Sequence, residues 1–279
     1  MIPRSWRADG AWRQFVSAHG SGCAVAVVLV HGYLCMSRSL YWQGLLPLRC
    51  ELAVRGCSVV GSCQPRTGPV AARARRLASF LDALPYRRLI LIGHSMGGLD
   101  ARYAASRLDP EHRISHVVTI GTPHRGTAVA DWALRDTVWL TRFARCIDRG
   151  ALLDLSLEGA ERLNAAMPDR EDVGYVSLAG ICPADRLGST FRRMAERVMQ
   201  DEGPNDGVVS LRSAMRGPLA VSIRANHLEL IGHRMLGGVA TPEASRSVQP
   251  VSVLRALLRR ILADAVAEAV GPSRGRGQR

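Results

Sequence analysis

Apolar residues follow two rhythms along this chain. The run Ala24-Val25-Ala26-Val27-Val28-Leu29-Val30 is unbroken, as in a strand covered on both faces, and it stops at His31-Gly32. A helical stretch over Ser39 to Arg55 and a second strand at Cys57-Ser58-Val59-Val60 follow. From Val70 to Leu84 the rhythm changes. Val70, Ala74, Leu77, Leu81 and Leu84 recur at helical spacing, Arg73, Arg75 and Arg76 lie off that stripe, and Pro85 ends the segment. Leu89-Ile90-Leu91-Ile92 reads as a buried strand running into Gly93. Gly98 to Leu108 reads as a helix stopped by Asp109-Pro110, and Val117-Val118-Thr119-Ile120 as a strand ending at Gly121-Thr122-Pro123.

Such alternation predicts an α/β fold: a mainly parallel central sheet with helices on both faces. The pattern breaks between His124 and Asp172. There, helix-like segments rich in Trp132, Leu134, Val138, Trp139, Leu140 and Phe143, then Leu152, Leu153, Leu155 and Leu157, follow one another without a strand. Residues 124–172 are expected to form a helical insertion on the sheet. Strands resume at Tyr175 to Gly180 and Leu219 to Ile223, and Val251 to Val270 reads as a closing helix. No internal repeat interrupts this order, so one domain over residues 1–279 is expected.

Composition narrows the class. With 47% hydrophobic and 22% charged residues, the chain has material for a large core and too little charge for disorder. The net charge of +13 comes largely from scattered arginines. No basic stretch is interleaved with aromatics, so no nucleic-acid partner is expected. Contact with an anionic membrane surface is the charge-based alternative. Seven cysteines, an odd number without a C-x-x-C pair, suggest neither a disulfide framework nor a zinc site. No segment has the pattern of a signal peptide or a membrane span, and a cytoplasmic location is the expectation.

The chemistry concentrates at Gly93-His94-Ser95-Met96-Gly97, a G-x-S-x-G run between a predicted strand and a predicted helix. Glycines at 93 and 97 would let the chain turn sharply and lift the Ser95 hydroxyl clear of the sheet, where the start of the following helix favours negative charge. A hydroxyl needs a base to become a nucleophile, and the base needs an orienting acid. In an open parallel sheet the site lies at the carboxyl ends of the strands. His112 and His116 flank the wrong end of their strand, and His124 could line a pocket. His227, after the last strand, is the expected base; His233, six residues on, is expected in a helix or on the surface. Asp206, in Pro204-Asn205-Asp206-Gly207, is the expected acid, with Asp185 and Asp201 as rivals. The amides of Met96 and Tyr33 are expected to hold an oxyanion. His31, Leu34, His94, His124, Trp132 and Trp139 are expected to border the substrate, His31 also bracing its own loop.

Together the segments Val28-Leu29-Val30-His31-Gly32, Gly93 to Leu99, Arg102-Tyr103, Thr119-Ile120-Gly121-Thr122-Pro123-His124-Arg125-Gly126-Thr127, Asn205 to Ser210 and Asn226-His227-Leu228 resemble the bacterial triacylglycerol lipase and esterase family of α/β-hydrolases. The resemblance implies a Ser95, Asp206, His227 triad, a helical lid after residue 125, and an apolar ester, small or lipid, as substrate. Many secreted relatives carry a structural calcium and a disulfide. The calcium-ligand aspartate of that family is Glu229 here and no partner carboxylate or matching cysteine pair appears, so no cofactor is expected. The same triad would also serve an acyltransferase, thioesterase or phospholipase, and the fold alone could serve a binding protein.

Overall fold

A computed structural model describes residues 25–33, 41–45, 48, 50–52, 57–135, 148–233 and 250–270. The strands are β1 (Val25–Val30), β2 (Ser58–Gly61), β3 (Arg88–His94), β4 (Ile114–Ile120), β5 (Gly174–Ile181) and β6 (Leu219–Arg224). The helices among the described residues are α1 (Val70–Asp82), α2 (Met96–Arg107), α3 (Ala128–Arg135), α4 (Arg149–Leu155), α5 (Leu157–Ala166), α6 (Ser189–Glu202), α7 (Leu211–Ala214) and α8 (Pro250–Val270).

Among the described residues six strands pair in parallel, in the order β2-β1-β3-β4-β5-β6. Every residue of β1 is buried, which accounts for its unbroken apolar run. Its side chains alternate between two cores. Val25, Val27 and Leu29 join Ile90, Ile92, Val118 and Leu178 on one face, against Leu254, Leu258 and Ile261 of α8. Ala26, Val28 and Val30 join Leu89, Leu91 and Val117 on the other, against Leu77 and Leu81 of α1 and Ala101, Ala104 and Ala105 of α2. The chain steps from β1 outward to β2, then crosses back to β3 on the other side. This reversal opens a crevice at the carboxyl ends of β1 and β3.

A third apolar cluster caps that end. Ala130, Ala133, Ala151, Leu152, Leu155, Leu163 and Met167 of the inserted helices close over Val70, Met96 and Leu99.

Sequence and structure differ at particular places. Arg73, read as lying off the α1 stripe, is fully buried, because Asp100 on α2 waits opposite with a carboxylate. His116, read as flanking its strand, lies inside β4. Helix α6 was not foreseen, although Phe191, Ala195 and Val198 carry its inner spacing. Part of the Ser39–Arg55 helix, and Leu34, Val138, Trp139, Leu140 and Phe143, lie outside the described residues.

Candidate active site

Ser95 sits between β3 and α2 with φ 54° and ψ −132°, a left-handed backbone that a non-glycine residue adopts at a cost. Close packing holds it there. A Cβ on Gly93 would lie 2.5 Å from Gly98, and one on Gly97 only 2.2 Å from the Val30 carbonyl, so neither position accepts a side chain. The Ser95 amide donates to the Ile120 carbonyl at 2.8 Å. Although Ser95 is the N-cap residue of α2, its hydroxyl caps nothing, and it is the one partly exposed residue between Ile90 and Arg102. The first amides of α2, beginning at Met96, have no acceptor within the helix.

Asp206 and His227 meet across two loops. The loop after β5 and α6 carries Asp206, which is 1% exposed. Its Oδ1 accepts the amides of Val208 at 3.0 Å and Val209 at 2.8 Å. Its Oδ2 lies 2.8 Å from Nδ1 of His227, which follows β6. The His227 amide also donates to the Asp206 carbonyl at 2.9 Å. A carboxylate held on one oxygen by two amides has only one direction left, and that direction is the imidazole. Gly121, at the end of β4 with φ 54°, floors this pair: a Cβ there would lie 3.1 Å from both Asp206 Oδ2 and His227 Nδ1. The rival acids Asp185 and Asp201 are engaged elsewhere. Asp185 lies in a short turn before α6, and Asp201 pairs with Arg197 at 2.9 Å on α6.

The segment His31-Gly32-Tyr33 follows β1 and faces Ser95; a Cβ on Gly32 would lie 2.9 Å from the Ser95 Cβ. Two cationic or polar groups hold its carbonyls from behind. Arg73 Nη2 donates to the His31 carbonyl at 2.9 Å and reaches the Gly32 carbonyl at 3.4 Å. The same guanidinium grips Asp100 through Nε at 2.9 Å and Nη2 at 2.7 Å. Burial pushes the Asp100 carboxyl up to about 6, while the charge of Arg73 pulls it down. His31 Nδ1 also faces the Gly32 carbonyl, at 2.9 Å. In a trans peptide C=O and N–H point opposite ways. Anchoring the Gly32 carbonyl behind therefore turns the Tyr33 amide the other way.

Three histidines expected to border substrate are placed otherwise. His31, His94 and His124 are each at most 1% exposed, with both ring nitrogens engaged by the protein. His31 lies between the Gly32 and Gln64 carbonyls. His124 meets Arg102 at 3.3 Å and Thr119 at 3.1 Å. Burial and the neighbouring Arg102 hold its pKa well below that of a free histidine. His94 Nδ1 meets the Tyr41 hydroxyl, and its Nε2 meets the His227 carbonyl at 2.9 Å. These rings brace the loops. Trp132 is half-buried on α3. His233 is held at the Tyr41 carbonyl by Nε2, at 2.7 Å. Sequence reasoning missed Arg73, Asp100 and Tyr41; their only signal was a charged residue facing each helix–helix contact and an aromatic before Trp42.

Glu229 spends a carboxylate oxygen on the Asn226 amide at 2.9 Å, and no group of three or more His, Cys, Asp or Glu suited to a metal occurs among the described residues.

A sheet of this order, with a strained serine turn after β3 and an Asp–His pair beyond β5 and β6, is the arrangement of the α/β-hydrolase fold. The sequence model for the alpha/beta hydrolase fold matches residues 25–145. Among curated proteins the chain is similar to triacylglycerol lipase 2 of Saccharomyces cerevisiae, 28% identical over 68% of this chain and 62% of that one. It is also similar to a triacylglycerol lipase of Pseudarthrobacter phenanthrenivorans, 35% identical over 38% of this chain and 35% of that one. The chain thus spans less than two thirds of either relative. Among solved structures it is similar to a metagenomic carboxyl esterase, with a TM-score of 0.70 and 20% identity over 89% of this chain and 78% of that one.

Proposed function

We propose that this protein is a serine carboxylic-ester hydrolase acting on an ester with an apolar acyl group. The observation that carries the reading is the buried Asp206–His227 pair, closed at 2.8 Å, beside a serine in a strained turn whose hydroxyl caps no helix. The names of the curated relatives, lipases of yeast and bacteria, support the same class.

Ser95 Oγ attacks the ester carbonyl carbon while His227 Nε2 takes its proton. Asp206 Oδ2 accepts from Nδ1–H and stabilises the imidazolium. The carbonyl oxygen becomes an oxyanion held by the Met96 and Tyr33 amides. On collapse the C–O bond to the alcohol breaks and His227 returns the proton to the leaving oxygen. Water then gives its proton to His227 and attacks the acyl-enzyme, which releases the acid and restores Ser95. The apolar cluster of α3, α4 and α5 over Met96 and Leu99 is the lid or wall against which the acyl chain rests.

The test is reaction of the folded chain with a fluorophosphonate probe, followed by peptide mapping, together with p-nitrophenyl esters of increasing acyl length. Labelling at Ser95, lost in Ser95→Ala, is the expected result. An unlabelled chain with no esterase activity would defeat the reading. An added alcohol separates hydrolysis from transfer, since exclusive formation of the new ester would make the protein an acyltransferase.

A further inference from the structure

The structure assigns Tyr41 and His94 as a positioning pair that locks the loop carrying the base to the loop carrying the oxyanion donor. This inference rests on the hydrolase reading and adds two residues to it, neither of which touches substrate.

Proton directions follow from which atoms can only accept. The His227 carbonyl is an acceptor, so the facing Nε2 of His94, 2.9 Å away, must carry the proton. In the neutral ring Nδ1 is then bare and accepts from the Tyr41 hydroxyl at 2.5 Å. The Tyr41 oxygen in turn accepts the Gly32 amide at 2.9 Å. One directional chain therefore runs from Gly32 N–H through Tyr41 and His94 to the backbone of His227. It fixes the residue before Tyr33 at one end and the base at the other.

Neighbouring contacts reinforce the chain. The His94 and His227 ring centroids lie 4.6 Å apart at 44°, so His94 supports the face of the base as well as its backbone. The Tyr41 carbonyl receives His233 Nε2 at 2.7 Å. A Cβ on Gly44 would lie 2.5 Å from Gly232, so the two segments are in contact there too. The groups facing His94 are Tyr41, His227 and, further off, His233. Burial first, and the His227 charge second, hold the His94 pKa well below its usual value, so the ring stays neutral when His227 takes the serine proton. A second cation at this distance would oppose that transfer.

The test uses the full-length protein. In long-range proton–nitrogen spectra of uniformly labelled chain, with His94→Gln as the assignment control, His94 is expected as the Nε2–H tautomer that stays neutral where a free histidine takes its proton. Tyr41→Phe is expected to lower kcat about 10- to 100-fold with KM changed less than about 2-fold, since small misplacements of catalytic groups cost this much. His94→Gln keeps an N–H aimed at the His227 carbonyl and is expected to retain more kcat than His94→Leu at comparable melting temperature. An Nδ1–H tautomer, a titrating His94, or unchanged kcat in both Tyr41→Phe and His94→Leu overturns the assignment while Ser95 labelling leaves the hydrolase reading intact. Failure of the wild-type chain to label at Ser95 overturns both.

Discussion

Residues here are constrained by what they would otherwise touch. Gly121 adopts φ 54° directly beneath the Asp206–His227 contact. Gly121→Ala would bring both a strained backbone and a methyl group 3.1 Å from the two bonded atoms. It is expected to lower kcat more steeply than it lowers the melting temperature, which paired kinetics and calorimetry would measure. Asp206→Asn keeps the size but presents Nδ1 of His227 with a weaker partner and allows the wrong tautomer. Under the proposed function its kcat is expected to fall roughly 10,000-fold, by analogy with known serine triads. Thr122 gives a prediction of opposite sign. Its hydroxyl is fully buried and has no hydrogen-bond partner among the described residues. Thr122→Val removes that unsatisfied group at nearly constant volume and is expected to gain about 1 kcal/mol of stability by denaturant titration.

Between elements, the Arg73–Asp100 pair joins α1 to α2 while holding the His31 and Gly32 carbonyls. Both partners are fully buried. Removing one leaves the other charge without its counter-ion, at a cost of about 3–5 kcal/mol. Asp100→Asn is therefore expected to be destabilised by that amount and to lose kcat as well, because the same guanidinium orients the Tyr33 amide; an unfolding curve and a rate measured below the melting point would show whether both effects appear. These elements also show what the sequence disclosed. The central strands were legible because burial on both faces leaves no room for polar residues, so β1, β3 and β4 stood out as unbroken runs. The Ser95 turn and the Asp206–His227 contact were legible because turn chemistry and chain order restrict where such residues can sit. Arg73 was not legible: a charge off an apolar stripe reads as solvated until its partner on another helix is seen. The bracing roles of His94, His31 and His124 were hidden for the same reason, since their partners are backbone carbonyls and side chains distant in sequence. Helix α6 was missed because its apolar face is narrow.

For the molecule as a whole, buried histidines make stability depend on pH. Burial keeps His94 and His124 neutral in the folded protein, with His227 the next cause for the first and Arg102 for the second. Unfolded, each would take a proton near its ordinary value of about 6.5. Below that pH the unfolded chain binds more protons than the folded one, so acid favours unfolding. Each histidine contributes a loss of about 1.4 kcal/mol per pH unit until its folded-state value is reached. Asp100 acts in the other direction. Its carboxyl, raised to about 6 in the folded protein, holds a proton there that the unfolded chain releases down to about 4. In that window it offsets part of the loss from the two histidines. Urea unfolding at a series of pH values from about 7.5 to about 4.5 should therefore show stability flat at first, then falling. His124→Gln, which has no proton to gain, is expected to flatten the lower part of that curve, because Asp100 then opposes a single histidine. A wild-type curve without any fall below pH 6.5 would mean that the two rings already carry their protons in the folded state. A cationic His94 would put an N–H on Nδ1 facing the Tyr41 hydroxyl, and the directional chain from Gly32 to His227 could not form as drawn.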